Sequence, residues 1–419
     1  MNSPTLILKT DAKLISNRVP TRRVLEIEFT APGARQSSAS TPLNLALVID
    51  RSGSMGDGKL EQAKLAVSQI LDQLRPVDSV SIIDFDNVVS LTAEADSVTP
   101  GARIEMKYEV NRLQPRGSTD LAGGWFAGCE RVARRLTESR VNRTLLLTDG
   151  EANVGITGIP ELSGHASALF ERGVSTSTFG IGHGFNERLL EAMANHGGGN
   201  YYYIESDQRI PELLLEEFND LSAVTLKNVV LEVNFPAGVS AELLGDWRVE
   251  AGENRLVVNL ADLSANRQVN LFVNLLTPAG SGQLVMNVVV HGIDEVDKPF
   301  QVAGDVTLQY AAPEKVAEAE AARDPDLVSR HASVALGHYA NQAYNLEREG
   351  KLEEAGKLMD RLMLEHGANI PAPTRNRYER ITRELRVGLD EPQRKEYSND
   401  SYLLKKHRHT EQSKREDQK

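Results

Sequence analysis

The chain holds a single cysteine, Cys129, so no disulfide can form within it and covalent stapling plays no part in the fold. Long apolar runs are also missing. No stretch reaches the roughly 18 apolar residues that a membrane-spanning helix needs, so no membrane association is expected. The opening residues Met1-Asn2-Ser3-Pro4-Thr5 lack a basic group followed by an apolar segment, which points to no secretory leader and to the cytoplasm. Positive charge is in deficit, with 47 Lys and Arg against 59 Asp and Glu and a net charge of −12. That balance argues against binding to phosphate backbones, so no nucleic-acid partner is expected; cations and basic protein surfaces remain compatible. A phosphate-cradling Gly-x-x-x-x-Gly-Lys-Ser/Thr loop is absent, and so is a Gly-x-Ser-x-Gly nucleophile elbow.

What is present has the length, 419 residues, for two to four domains at roughly 100–200 residues each. Residues 1–40 contain short strand-like runs, among them Val24-Leu25-Glu26-Ile27-Glu28-Phe29, whose alternation suits a half-buried strand. Residues 41–222 alternate strands and helices. Leu45-Ala46-Leu47-Val48-Ile49 is a continuous apolar run of the kind found in a central parallel strand covered on both faces. The apolar positions from Lys59 to Leu74 repeat with helical spacing, and further strand–helix pairs follow to Leu221. This pattern predicts an α/β fold with a doubly wound, mostly parallel sheet. Residues 223–312 turn to valine- and leucine-rich runs separated by Gly, Pro, Asn and Asp, which predicts a β-sandwich. The strands of 1–40 fit the same sandwich, leaving the α/β unit inserted in it or flanked by it. Residues 313–389 read as helical, with a hairpin around Gly350, and 390–419 as a disordered charged tail.

Three segments carry chemistry. Asp50-Arg51-Ser52-Gly53-Ser54 directly follows the buried strand at Leu45–Ile49; Gly117-Ser118-Thr119-Asp120 precedes a helix; Thr148-Asp149-Gly150-Glu151 directly follows the strand at Leu145–Leu147. Ligands of doubly wound sheets sit at the carboxyl ends of the strands, where these loops fall. Carboxylate and hydroxyl oxygens are hard donors and suit Mg²⁺ or Mn²⁺. The competing account is that Ser52 and Ser54 cap the following helix while Asp50 and Asp149 are turn residues, but capping leaves the other two loops unexplained.

Asp-x-Ser-x-Ser after a buried strand, a threonine in a Gly-Ser-Thr turn and Thr-Asp-Gly after another strand together resemble the metal-ion-dependent adhesion site of the von Willebrand factor A family. The resemblance covers residues 41–222 and implies that Asp50, Ser52, Ser54, Thr119 and Asp149 hold Mg²⁺, with Mn²⁺ or Ca²⁺ as substitutes. It also implies that a partner protein's Asp or Glu completes the metal shell, and that the protein is a non-enzymatic scaffold. The layout of a β domain, the α/β unit and then helices is similar to inter-α-trypsin-inhibitor heavy chains and to bacterial A-domain proteins. Some of the latter work with MoxR-type AAA+ ATPases, which makes such an ATPase one implied partner.

Other classes fit less well. A haloacid-dehalogenase-like nucleophile at Asp50 needs a second aspartate two positions on, where Ser52 stands. Metal-assisted hydrolysis needs a general base, for which Glu151 is the one nearby candidate. A structural metal site, with the C-terminal helices binding the partner, is the remaining alternative. Cys129 reads as a small packing residue, and Lys405-Lys406-His407-Arg408-His409 as a short solvated charge run.

Overall fold

The computed structural model describes residues 3–34 and 40–405. The chain starts in a β-sandwich with β1 (Thr5–Thr10), β2 (Leu14–Ser16) and β3 (Thr21–Thr30). It then builds an α/β unit: β4 (Leu43–Asp50), α1 (Lys59–Gln73), β5 (Ser79–Phe85), β6 (Val89–Ala95), α2 (Pro100–Asn111), α3 (Leu121–Arg134), β7 (Val141–Thr148), α4 (Ile159–Glu171), β8 (Ser175–Ile181), α5 (Glu187–His196), β9 (Gly198–Ile204) and α6 (Ile210–Ser222). The chain re-enters the sandwich as β10 (Val224–Asn234), β11 (Ser240–Leu243), β12 (Arg248–Gly252), β13 (Arg255–Ser264), β14 (Gln268–Thr277), β15 (Gln283–Asp294) and β16 (Pro299–Ala311). Among the described residues five helices follow: α7 (Pro313–Ala321), α8 (Pro325–Arg348), α9 (Leu352–His366), α10 (Ala372–Leu385) and α11 (Glu391–Lys405).

The sandwich is assembled from both ends of the inserted unit. Its sheets run β1-β3-β14-β11 and β12-β13-β10-β15-β16-β2, so β3 pairs with β14 across some 240 intervening residues, with Ile27 opposite Leu271. Leu25, Ile27 and Phe29 bury their side chains with Leu231, Val233, Leu271, Val273, Val288 and Val290. The α/β unit therefore leaves and returns at neighbouring points, and both of its connections are anchored in one core.

In the α/β unit the strand order is β6-β5-β4-β7-β8-β9, with β6 antiparallel and the others parallel. All residues of β4, β5, β7 and β8 are buried. Along β4, Leu43, Leu45, Leu47 and Ile49 face α1 and α6, while Ala46 and Val48 face α3, whose Trp125 fills that layer. From β4 the chain steps to β5 on one side, then crosses back to β7 on the other. The carboxyl ends of β4 and β7 thus flank the topological switch point, where the sheet leaves a crevice.

β6 and α2 add an edge strand and a helix that the sequence pattern leaves undivided, because the polar Val89–Ala95 segment has no continuous apolar run. A larger difference lies at the C-terminus. Residues 391–405 form α11, not a disordered tail; Tyr397, Ser401, Tyr402, Leu404 and Lys405 are all buried. Tyr402 joins the core of the α/β unit, its hydroxyl accepting from the Tyr201 N–H at 3.1 Å. Lys405, read as part of a solvated run, is fully buried and ion-paired with Glu191 at 3.0 Å and with Asp246. Composition misleads here because lysine stems and tyrosine rings are charged or polar in the sequence yet bury well once their tips are paired. Residues 406–419, the rest of the expected tail, lie outside the described residues.

Candidate metal centre

β4 ends at Asp50, whose side chain is fully buried at the switch point. The next residues coil into a short 3-10 turn, Gly53–Met55, before α1. Ser52 stands at the start of that turn without capping it through its side chain, and the cap of α1 is Gly58. The hydroxyls are directed elsewhere. Ser52 Oγ and Ser54 Oγ lie 3.1 Å apart, and Ser54 Oγ donates to Asp149 Oδ1 at 2.7 Å, joining the first loop to the loop after β7. The capping account of these serines therefore fails.

Asp50 is held on both oxygens: Oδ1 accepts from the Ser52 N–H at 2.7 Å, and Oδ2 from Thr148 Oγ1 at 2.5 Å. Burial, partly offset by these bonds, pushes the Asp50 carboxyl up from 3.8 to about 6. A carboxylate kept dry and short of positive charge is poised to gain from a cation.

Thr119 is buried in the second loop, with its N–H on Asn153 Oδ1 at 3.0 Å. Its neighbour Asp120 turns away to cap α3, accepting from the Gly123 N–H at 2.9 Å. Gly117, with φ of +71°, lets the second loop pass close to the first: the Gly53 N–H donates to Gly117 O at 3.1 Å. Thus the five residues singled out in the sequence line one crevice, four of them buried and Ser54 exposed at its mouth.

The fit to a hard cation can be tested at Gly150. A methyl group built on its backbone would lie 3.1 Å from Thr119 Oγ1 and 3.8 Å from Asp50 Oδ2. Only a residue without a side chain leaves this oxygen-lined space between the loops open. The donors are carboxylates and hydroxyls, and among the described residues no group of three or more His, Cys, Asp or Glu side chains gathers to hold a metal. An oxygen set of this kind matches a hard divalent ion and not a soft one.

Several residues that position the site carry no signature in the sequence. Arg51, in the first loop, lies between the buried Asp84 and Asp86 at the end of β5, at 2.7 Å and 3.6 Å. The Asp84 contact is too bent for a hydrogen bond, so it acts through charge. Arg116 reaches Asp86 at 2.5 Å, while its N–H donates to Arg51 O at 2.8 Å. The Asp120 N–H donates to Asp86 O at 2.8 Å. This charged knot ties the second loop to the first. An acid at the end of a second parallel strand was the only available hint. Lys59, on the first turn of α1, pairs with Asp149 Oδ2 at 2.5 Å. Glu151, by contrast, is exposed, and its field falls on Lys395 of α11. Cys129 is buried, and burial pushes its thiol up to about 12, in keeping with a packing role.

Residues 44–216 match the family profile of the von Willebrand factor type A domain. The chain is 28% identical over 264 residues to the uncharacterized protein YfbK of Escherichia coli, covering 61% of this chain and 45% of that one. It is 30% identical over 280 residues to the uncharacterized protein sll0103 of Synechocystis, covering 64% and 65%. Against human inter-alpha-trypsin inhibitor heavy chain H3 it is 31% identical over 225 residues, covering 52% of this chain and 24% of the heavy chain. The chain thus spans less than two thirds of each of these relatives. Among solved structures, a von Willebrand factor type A protein from Catenulispora acidiphila superposes over 97% of both chains with a TM-score of 0.70 at 16% identity. The ArnB paralog VWA2 from Sulfolobus acidocaldarius covers 96% of this chain and 98% of its own, with a TM-score of 0.62 at 19% identity. These last two likenesses extend the shared fold beyond the α/β unit to the sandwich and the helices.

Proposed function

We propose that this chain, whose residues 44–216 match the von Willebrand factor type A domain, is a non-enzymatic, metal-dependent protein-interaction module. Asp50, Ser52, Ser54, Thr119 and Asp149 would hold a divalent ion, Mg²⁺ by the hardness of the donors. The bound ion would supply a strong, directional contact for an Asp or Glu of a partner protein. The supporting observation is the convergence of three loops on one oxygen-lined crevice, closed below by buried Asp50 and open above at Ser54. The chain's own residues prepare it. Thr148 and the Ser52 N–H fix the Asp50 carboxylate, Asn153 fixes Thr119, and the Arg51–Asp86–Arg116 knot sets the loop spacing. Among the described residues no helix is long and apolar enough to cross a membrane; a cytoplasmic setting is part of this reading, and an AAA+ ATPase of the MoxR type is one partner to look for.

The test is a pull-down from native lysate with tagged protein in Mg²⁺ and in EDTA, beside Asp50→Ala. A partner held only by wild type in Mg²⁺ carries the reading. A partner held equally in all three moves binding off the metal centre. The helices would then be the alternative surface, and Leu364 and Val387, 88% and 84% exposed, are the residues to replace with serine. Deleting all of 313–419 would not serve, because α11 belongs to the core of the α/β unit.

A further inference from the structure

Lys59 is the first residue of α1, a position where the helix dipole disfavours a cation. Its ammonium nonetheless folds over the crevice, 2.5 Å from Asp149 Oδ2 and 3.1 Å from Ser54 O, with the side chain only 30% exposed. Of the other acids on these loops, Asp84 and Asp86 are matched by Arg51 and Arg116, and Asp120 turns to cap α3. Asp50 and Asp149 therefore bring two negative charges to the crevice, and Lys59 cancels one of them.

We propose that Lys59 is a built-in counter-cation that shares Asp149 with the divalent ion and thereby sets the metal affinity of the site. The proposal rests on the metal-centre reading above. An incoming ion meets one net negative charge instead of two and has to share Asp149 with an ammonium. Once loaded, the cluster carries a net charge of +1, where without Lys59 it would be neutral. That surplus favours an anionic group from a partner. Lys59 thus trades metal affinity for acceptance of a carboxylate at the loaded site, and the weaker hold lets ambient metal concentration govern occupancy.

The experiment is a calorimetric titration of the full chain with Mn²⁺ alone, comparing wild type, Lys59→Met, Lys59→Arg and Asp50→Ala, each with its thermal melt in EDTA. Removing a unit charge a few ångströms from the ion should tighten Mn²⁺ binding by about ten-fold in Lys59→Met, while Lys59→Arg stays within about two-fold of wild type. The gain should shrink at high ionic strength. Equal or weaker Mn²⁺ binding by Lys59→Met, with saturable binding by wild type, overturns the proposal. If instead Lys59 only secures the start of α1, its replacement lowers the melting temperature and leaves the Mn²⁺ isotherm where it was, which also overturns it. Should wild type fail to bind Mn²⁺, or Asp50→Ala bind as well as wild type, the metal-centre reading itself falls and takes this one with it.

Discussion

Asp50 shows what the site costs the fold. Its carboxyl is pushed up from 3.8 to about 6 by burial, so its contribution to stability is greatest while it is protonated, below 3.8, and is lost as pH rises through about 6. In metal-free protein at pH 8, that loss is on the order of 3 kcal/mol. Asp50→Asn keeps the shape without the charge. In EDTA at pH 8 it should melt higher than wild type, and the two should converge as pH falls below 4; an Asn variant that melts lower at pH 8 would show that the carboxylate is not under this penalty. The same variant should lose the upward shift in melting temperature that Mg²⁺ gives wild type. Cys129 allows a simpler check. With its thiol pushed up to about 12 by burial, it should be inert to a thiol reagent in the native protein and react fully in denaturant.

At the scale of elements, the crevice depends on loops held by charge. Arg51 bridges Asp84 and Asp86, which are 3% and 0% exposed. Arg51→Leu would leave two buried carboxylates with Arg116 alone to balance them. Breaking a buried pair from one side costs about 3–5 kcal/mol, and denaturant unfolding should register a loss of that order together with weaker Mn²⁺ binding. Gly117 sits at φ +71°, and a methyl group on it would meet Asn87 Oδ1 at 2.2 Å and Asp86 Cβ at 3.1 Å. Gly117→Ala should displace the second loop and loosen Mn²⁺ binding with a smaller change in overall stability. Intact metal affinity in this variant would mean that Thr119 does not need the close loop contact.

At the scale of the whole molecule, α11 locks the three parts together. Lys395 reaches Phe185 O and Glu187 of α5, Tyr402 enters the core beside Tyr201, and Lys405 joins Glu191 of α5 to Asp246 of the sandwich. Phe185 follows Gly184, which packs against the backbone of Asp149, so this clasp lies one layer from the metal centre. Tyr402→Ala removes a fully buried ring and should cost about 3–5 kcal/mol. Hydrogen exchange should then rise in α5 and β9 as well as in α11. Faster exchange in α11 alone would show the clasp to be an appendage.

The sequence by itself determined the α/β class, the sandwich patterning and the five oxygen-bearing residues. Each is written in local periodicity or in contiguous loops: Leu45–Ile49 is apolar throughout because β4 is covered on both faces, and Asp50, Ser52 and Ser54 sit within one loop. Tertiary structure alone decided the rest. That Arg51 answers Asp84 and Asp86, that Lys59 turns to Asp149, that β3 pairs with β14 and that a charge-rich C-terminal segment is buried as α11 all depend on partners tens to hundreds of residues away. A charged side chain carries no mark of its environment in the chain; whether it is solvated or buried is settled by the desolvation cost it meets and the opposite charge it finds on folding.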